Sequence, residues 1–147
     1  MQLPAAKGNI ELAARYLPQH IGTWHVFAWL QLIHQDVAAA EAAFQRALTL
    51  DRNFAETHGG LAVVAVLQRR DDEARASIKR ALRVDSQSVS AQYAQILLLQ
   101  REGHQQEADS ALDTVLARPM DREGNQLREL VSAHLATVRP SPRASAG

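Results

Sequence analysis

Six histidines, His20, His25, His34, His58, His104 and His134, are the residues of this chain with the widest chemical repertoire. A metal site would need two of them one helical turn apart with an acidic third ligand, and no pair has that spacing. No HExxH run occurs, and the absence of cysteine excludes thiolate sites and disulfides. Nucleophilic chemistry fares no better. There is no nucleophile elbow, no phosphate-cradling glycine loop and no carboxylate pair on an apolar floor. The acidic run Asp71, Asp72 and Glu73 reads as a helix start, where negative charge complements the helix dipole. The residues point away from catalysis, from a cofactor and from a metal, and toward binding.

Composition narrows the kind of binding. At 147 residues the chain is one domain of ordinary size, able to bury a real core. Ala and Leu dominate the apolar residues, which favours helix. The 16 Lys and Arg balance the 16 Asp and Glu and are scattered, so nucleic acid is a poor candidate partner. The longest apolar run, Leu61 to Leu67, falls far short of the ~20 residues a membrane-spanning helix needs. The first residues carry no charged start followed by an apolar run and a cleavage site, so a cytoplasmic location is expected, or a periplasmic one if a signal peptide was removed.

The organising pattern is AEAAFQRAL, Ala40 to Leu48, which returns 34 residues later as ARASIKRAL and again as ADSALDTVL. Ala40, Ala74 and Ala108 share one slot, and Phe44, Ile78 and Leu112 the next. Ala47, Ala81 and Val115 share the third, and Leu48, Leu82 and Leu116 the fourth. A fixed period of this length is the signature of a repeat architecture. Small residues let two helix backbones approach, and the large residue fills the gap beyond. Such pairs cannot bury their apolar faces alone, so neighbours must stack.

Taken in order, residues 1–20 read as a partial repeat or short capping helix ended by Pro18. Units follow at 21–54, 55–88 and 89–122. Asp36 is placed to cap the second helix of the first unit, and Gly103 suits the left-handed position after a helix. Gly59 and Gly60 each cost roughly 1 kcal/mol in a helix interior relative to Ala, so packing must override propensity there. Residues 123–138 carry Leu127, Leu130, Val131, His134, Leu135 and Val138 at helical spacing and are expected to cap the end of the stack. The segment 139–147, with two prolines and no apolar residue larger than Ala, is expected to be disordered.

A 34-residue helix–turn–helix unit with these slots resembles the tetratricopeptide repeat. The family pattern of Trp, Leu, small, Tyr, then Ala, aromatic, Ala, Pro falls in unit one on Trp24, Phe27, Ala28, Gln31, Ala40, Phe44, Ala47 and Arg52. Unit two answers with His58, Leu61, Ala62, Ala65, Ala74, Ile78, Ala81 and Ser86. Unit three has Gln92, Gln95, Ile96, Leu99, Ala108, Leu112, Val115 and Met120, and no unit has the exit proline in place. The resemblance implies an all-α solenoid of three repeats flanked by a short N-terminal helix and a C-terminal capping helix. Its first helices would line a concave groove.

By the family's register the groove carries His25, Trp29, Leu32 and Ile33 from unit one, Gly59, Val63 and Leu67 from unit two, and Tyr93, Leu97 and Arg101 from unit three. The set is mostly apolar. The Lys, Arg and Asn clamp that some members use for a peptide carboxylate has no counterpart at His25, Trp29, Gly59 and Val63. Trp29 reads either as an anchor for a bound segment or as a packing residue, and Arg101 either as a solvated arginine or as a pair for an acidic group. The helix around Leu61 to Leu67 is apolar almost all round, so its third side needs an apolar partner or self-association as a homodimer. The resemblance thus implies a protein or peptide partner. Competing roles are a chaperone of the type III secretion class holding apolar translocator segments, and an accessory segment of a larger repeat-containing enzyme.

Overall fold

The computed structural model describes residues 20–138. The expected capping segment at 1–20, apart from His20, and the expected disordered tail at 139–147 lie outside the described residues. Among the described residues there are seven helices and no strand. They are α1 (Ile21–Ile33), α2 (Val37–Leu50), α3 (Ala55–Leu67), α4 (Asp71–Val84), α5 (Val89–Arg101), α6 (Gln105–Ala117) and α7 (Arg122–Val138). The pairs α1–α2, α3–α4 and α5–α6 form hairpins, and the hairpins stack through α3 on α2 and α5 on α3.

The repeating slots hold each hairpin together. Ala40, Ala74 and Ala108 have no exposed surface, and Phe44, Ile78, Leu112, Ala47, Ala81 and Val115 are all buried. The fourth slot loosens along the chain. Leu48 and Leu82 are half-buried, whereas Leu116 is 46% exposed because no further hairpin covers it.

Each hairpin turns in the same way. The second residue after the first helix is left-handed at Gln35 (φ 65), Arg69 (φ 60) and Gly103 (φ 85). The following amide then bonds five residues back, from Asp36 to the Gln31 carbonyl, Arg70 to Ala65 and His104 to Leu99, each at 2.8 Å. This closes the last orphan carbonyls of the helix. Only the third turn uses the residue best suited to that conformation. Asp36 caps α2 by accepting from the Ala39 amide at 3.0 Å. At the unit exits, where proline is missing, Asp51 and Asp85 accept from the amides of Asn53 and Gln87 at 2.9 Å and close Asx turns instead.

Between units the joints are polar and regularly spaced. The Glu56 carboxylate on α3 accepts from the Val89 amide (3.1 Å), the Ser90 amide (3.3 Å) and the Ser90 hydroxyl (2.7 Å) at the start of α5. Arg70 donates to Glu41 at 2.8 Å, and Arg75 to Glu102 at 3.0 Å. Arg118 donates to the Gln87 carbonyl at 2.7 Å. These contacts lie at exposed or partly exposed sites, where an ion pair is worth about 0–1 kcal/mol, so they set register more than stability.

The close packing centres on α3, whose residues Thr57 to Gly60 and Ala62 to Val66 are all buried. A Cβ on Gly60 would lie under 3.0 Å from three carbons of the Phe44 ring in unit one. A Cβ on Gly59 would lie 2.6 Å from the Ala91 backbone nitrogen in unit three. The two glycines therefore admit one neighbour on each side of the central helix.

One element departs from expectation. The helix α7 does not continue the stack beyond unit three. It packs mainly on α1 and secondarily on α5, crossing back over the first helices. Its 17 residues span about 25 Å, enough to bridge three neighbouring helices. Arg128 ties its start to the end of α6 by donating to the carbonyls of Val115, Leu116 and Arg118 at 3.1, 3.1 and 2.6 Å. The other apolar surface available to α7, the end of unit three, stays open at Leu116.

Gly59→Ala should destabilise the chain by roughly 1–3 kcal/mol, because the methyl meets backbone that cannot yield, although Ala is the better helix former. Gly22→Ala, with nothing within 4 Å of its Cβ, should be neutral or stabilising. Urea unfolding of the two variants checks the contrast.

Candidate functional site

The expected groove residues come from α1, α3 and α5, and the structure brings most of them together, but not on an open surface. Trp29 of α1 and Tyr93 of α5 meet directly, with ring centroids 5.8 Å apart and planes tilted by 47°. They close over α3, where Val63 is fully buried. Trp29 also stands edge-on to Phe44 at 6.3 Å. From above, α7 lowers His134 onto the pair. Its ring is T-shaped to Trp29 at 6.1 Å and to Tyr93 at 5.6 Å. The Tyr93 hydroxyl lies 2.6 Å from Nδ1 of His134. In the tautomer with the proton on Nε2, the hydroxyl donates to it. Val131, one turn before it, and Leu135, the next residue, are buried with it.

The expectation of an open groove is therefore corrected. Trp29 and Tyr93 are 1% and 0% exposed, and Leu32, Val63 and Leu97 are buried as well. Of the two readings of Trp29 the packing one describes the structure, with His134 of α7 against its ring. Gly59 does not line a groove but admits the start of α5. Ile33 and Leu67 are half-buried. Arg101 is engaged within the chain. It donates to the Asp71 carboxylate and to the Val66 carbonyl, bracing the end of α5 against the turn of unit two.

A second buried histidine joins units one and two. His25 Nε2 on α1 lies 2.6 Å from the Thr57 hydroxyl on α3. The His25 ring packs against Phe54 at 5.2 Å and Phe44 at 6.0 Å. Burial pushes both His25 and His134 down to about 4 and pushes the Tyr93 phenol up. Both imidazoles are neutral at pH 7. His58, which stands in the aromatic core slot of unit two, donates from Nε2 to the Arg52 carbonyl at 2.6 Å.

Sequence reasoning missed two contributors. His134 belongs to a stripe that was legible as an amphipathic helix, but nothing in that stripe says which apolar surface it covers. Glu56 sits at a groove position by register, yet its carboxylate caps α5. The Ser88-Val89-Ser90 run, 32 to 34 residues on, carries a capping signal, but for a local partner and not for a distant one. Among the described residues no group of three His, Asp or Glu could hold a metal ion, and no helix is long and apolar enough to cross a membrane.

Three stacked helical hairpins with a buried aromatic joint define a helical repeat module. Residues 31–98 match the family model of the tetratricopeptide repeat, the family whose hairpins these units resemble. A curated relative, cellulose synthase operon protein C of Komagataeibacter xylinus, is 30% identical over 103 residues. The match covers 62% of this chain, which spans 8% of the relative's length.

The buried histidines fix a pH response. Unfolding returns each to its ordinary value near 6.5, so between about 6.5 and about 4 the unfolded chain binds more protons than the folded one. Stability is complete above that window and falls as pH drops through it. Going from pH 7 to pH 5 should cost roughly 1–2 kcal/mol per histidine. His134→Gln should remove its share of the pH dependence. Urea unfolding at the two pH values measures both, and a midpoint independent of pH would contradict the assignment.

Proposed function

We propose that the chain is a non-catalytic protein-binding module whose concave face accepts an amphipathic helical segment of a partner. The observation that carries this reading is α7 itself. It lays Val131, His134 and Leu135 onto the first helices and adds one directional bond, Tyr93 to His134. Helix-in-groove recognition uses the same i, i+3, i+4 anchors. Two residues expected in the partner site, Trp29 and Tyr93, are the ones His134 of α7 covers, as an apolar helix of a partner would.

A partner on this face must displace α7. Each buried aliphatic side chain is worth about 1.5–3 kcal/mol, offset by the ordering of the helix, so α7 is held by a few kcal/mol. A release cost of about 3 kcal/mol would weaken apparent affinity roughly 100-fold. Partners with a longer or more apolar stripe than α7 are favoured accordingly. Exchange of α7 between two copies would use the same contacts and is the route by which this face would give a homodimer.

The match to cellulose synthase operon protein C favours a second, compatible reading, in which these repeats serve as an assembly segment within a longer repeat protein.

Val131→Asp combined with Leu135→Asp should release α7, expose Trp29 and shift tryptophan emission to the red, with Trp24 still buried. A synthetic peptide of the sequence Arg122 to Val138 should then bind the variant and reverse the shift, while leaving the parent chain unaffected at the same concentration. If the released variant stays folded and the peptide does not bind it, the concave face is not a helix-accepting surface.

A further inference from the structure

A second surface lies on the opposite side of α5. Where α5 turns Tyr93 toward α7, it turns Leu98 and Leu99 toward a groove between α4 and α6. Ile78 and Leu82 of α4 and Ala111 of α6 complete the apolar floor. One edge is a row of three cations on α4, Arg75, Lys79 and Arg83, at four-residue steps. Like charges at that spacing disfavour an isolated helix, so local helix stability does not account for the row.

The charge is not cancelled. Glu102 is the one carboxylate lining the groove, and it is taken up by Arg75 at 3.0 Å, with Asp72 adding a longer contact at 3.7 Å. Among the described residues neither Lys79 nor Arg83 has a carboxylate within ion-pair distance. The whole chain is formally neutral, so this is a local excess. The chain's own termini do not match it. Residues 1–19 carry Lys7 and Arg15 against Glu11, and residues 139–147 carry Arg139 and Arg143 with no acid. A second copy meeting groove to groove would set like charges against each other.

We propose that this α4–α6 groove docks an acidic amphipathic helix of a protein partner, its apolar stripe on Leu82, Leu98 and Leu99 and its carboxylates on Lys79 and Arg83. The apolar floor supplies the burial. The cation row supplies orientation and discrimination, because complementary charge steers encounter and a like charge is rejected. The groove is separate from the face that α7 covers, so the two sites succeed or fail independently.

The test titrates the full chain with two designed peptides of 14 residues, with leucines at i, i+3, i+4 and i+7. Their flanking positions are all Glu in one and all Lys in the other. The Glu peptide should shift backbone NMR signals of α4 and of Gln95 to Ala111 while leaving the Trp29 and His134 signals in place. It should bind about ten-fold or more tightly than the Lys peptide and weaken as salt is raised. Lys79→Glu with Arg83→Glu changes two exposed side chains and should reverse the preference, so that the Lys peptide binds and the Glu peptide does not. Equal binding of both peptides, or an unchanged preference in the double variant, would overturn the proposal. So would shifts confined to the concave face, or self-association through the groove on sedimentation.

Discussion

The fold depends on how closely three helices can pass one another at a single place. The central helix α3 approaches unit one through Gly60, against the Phe44 ring, and unit three through Gly59, against the backbone at Ala91. Glycine there gives up helix propensity of about 1 kcal/mol per residue, and the packing of both neighbouring hairpins offsets it. Because units one and three both come in tightly on α3, their first helices converge on the concave side. Trp29 and Tyr93 then touch across a gap of two repeats. The aromatic joint is a consequence of the glycine pair, and α7 is seated on that joint.

The polar groups follow from the same geometry. Once α3 and α5 are close, the Glu56 carboxylate reaches the orphan amides at the start of α5, which lack an intrahelical partner and attract negative charge. His25 finds Thr57, and Tyr93 finds His134, inside surroundings that keep both imidazoles neutral. These buried pairs give the apolar faces a defined register. A stripe of Leu and Val alone could slide, whereas a hydroxyl facing an imidazole nitrogen permits one arrangement.

Much of the scaffold was legible in the sequence. The Ala, large, Ala slots recur at 34 and are buried in all three hairpins, because period and side-chain size act locally within each pair. The glycine pair was legible as a conflict between propensity and pattern, and the conflict marked the tightest contact in the fold. The path of α7 was not legible. An apolar stripe such as Leu127 to Leu135 states that a helix must be covered but not by what, and two apolar surfaces competed for it. Which acidic group Arg101 pairs with was not legible for a related reason. Its partners Asp71 and Val66 are about one repeat away, and only the stacking geometry brings them within reach. That Trp29 and Tyr93 share one side of the stack was legible from the repeat register, while the packing of His134 on them is a long-range property.

The proposed function requires α7 to be a resident occupant of a helix-accepting face, held by a few side chains, and not an integral part of the repeat core. Native-state hydrogen exchange at increasing, sub-denaturing urea separates these two descriptions. Amides of α7 should exchange through a partial opening of lower free energy and smaller urea dependence than the amides of α3 and α5. If the α7 amides instead merge with those of α3 into one global unfolding transition, α7 is part of the core, and a partner cannot reach the Trp29–Tyr93 face without unfolding the chain.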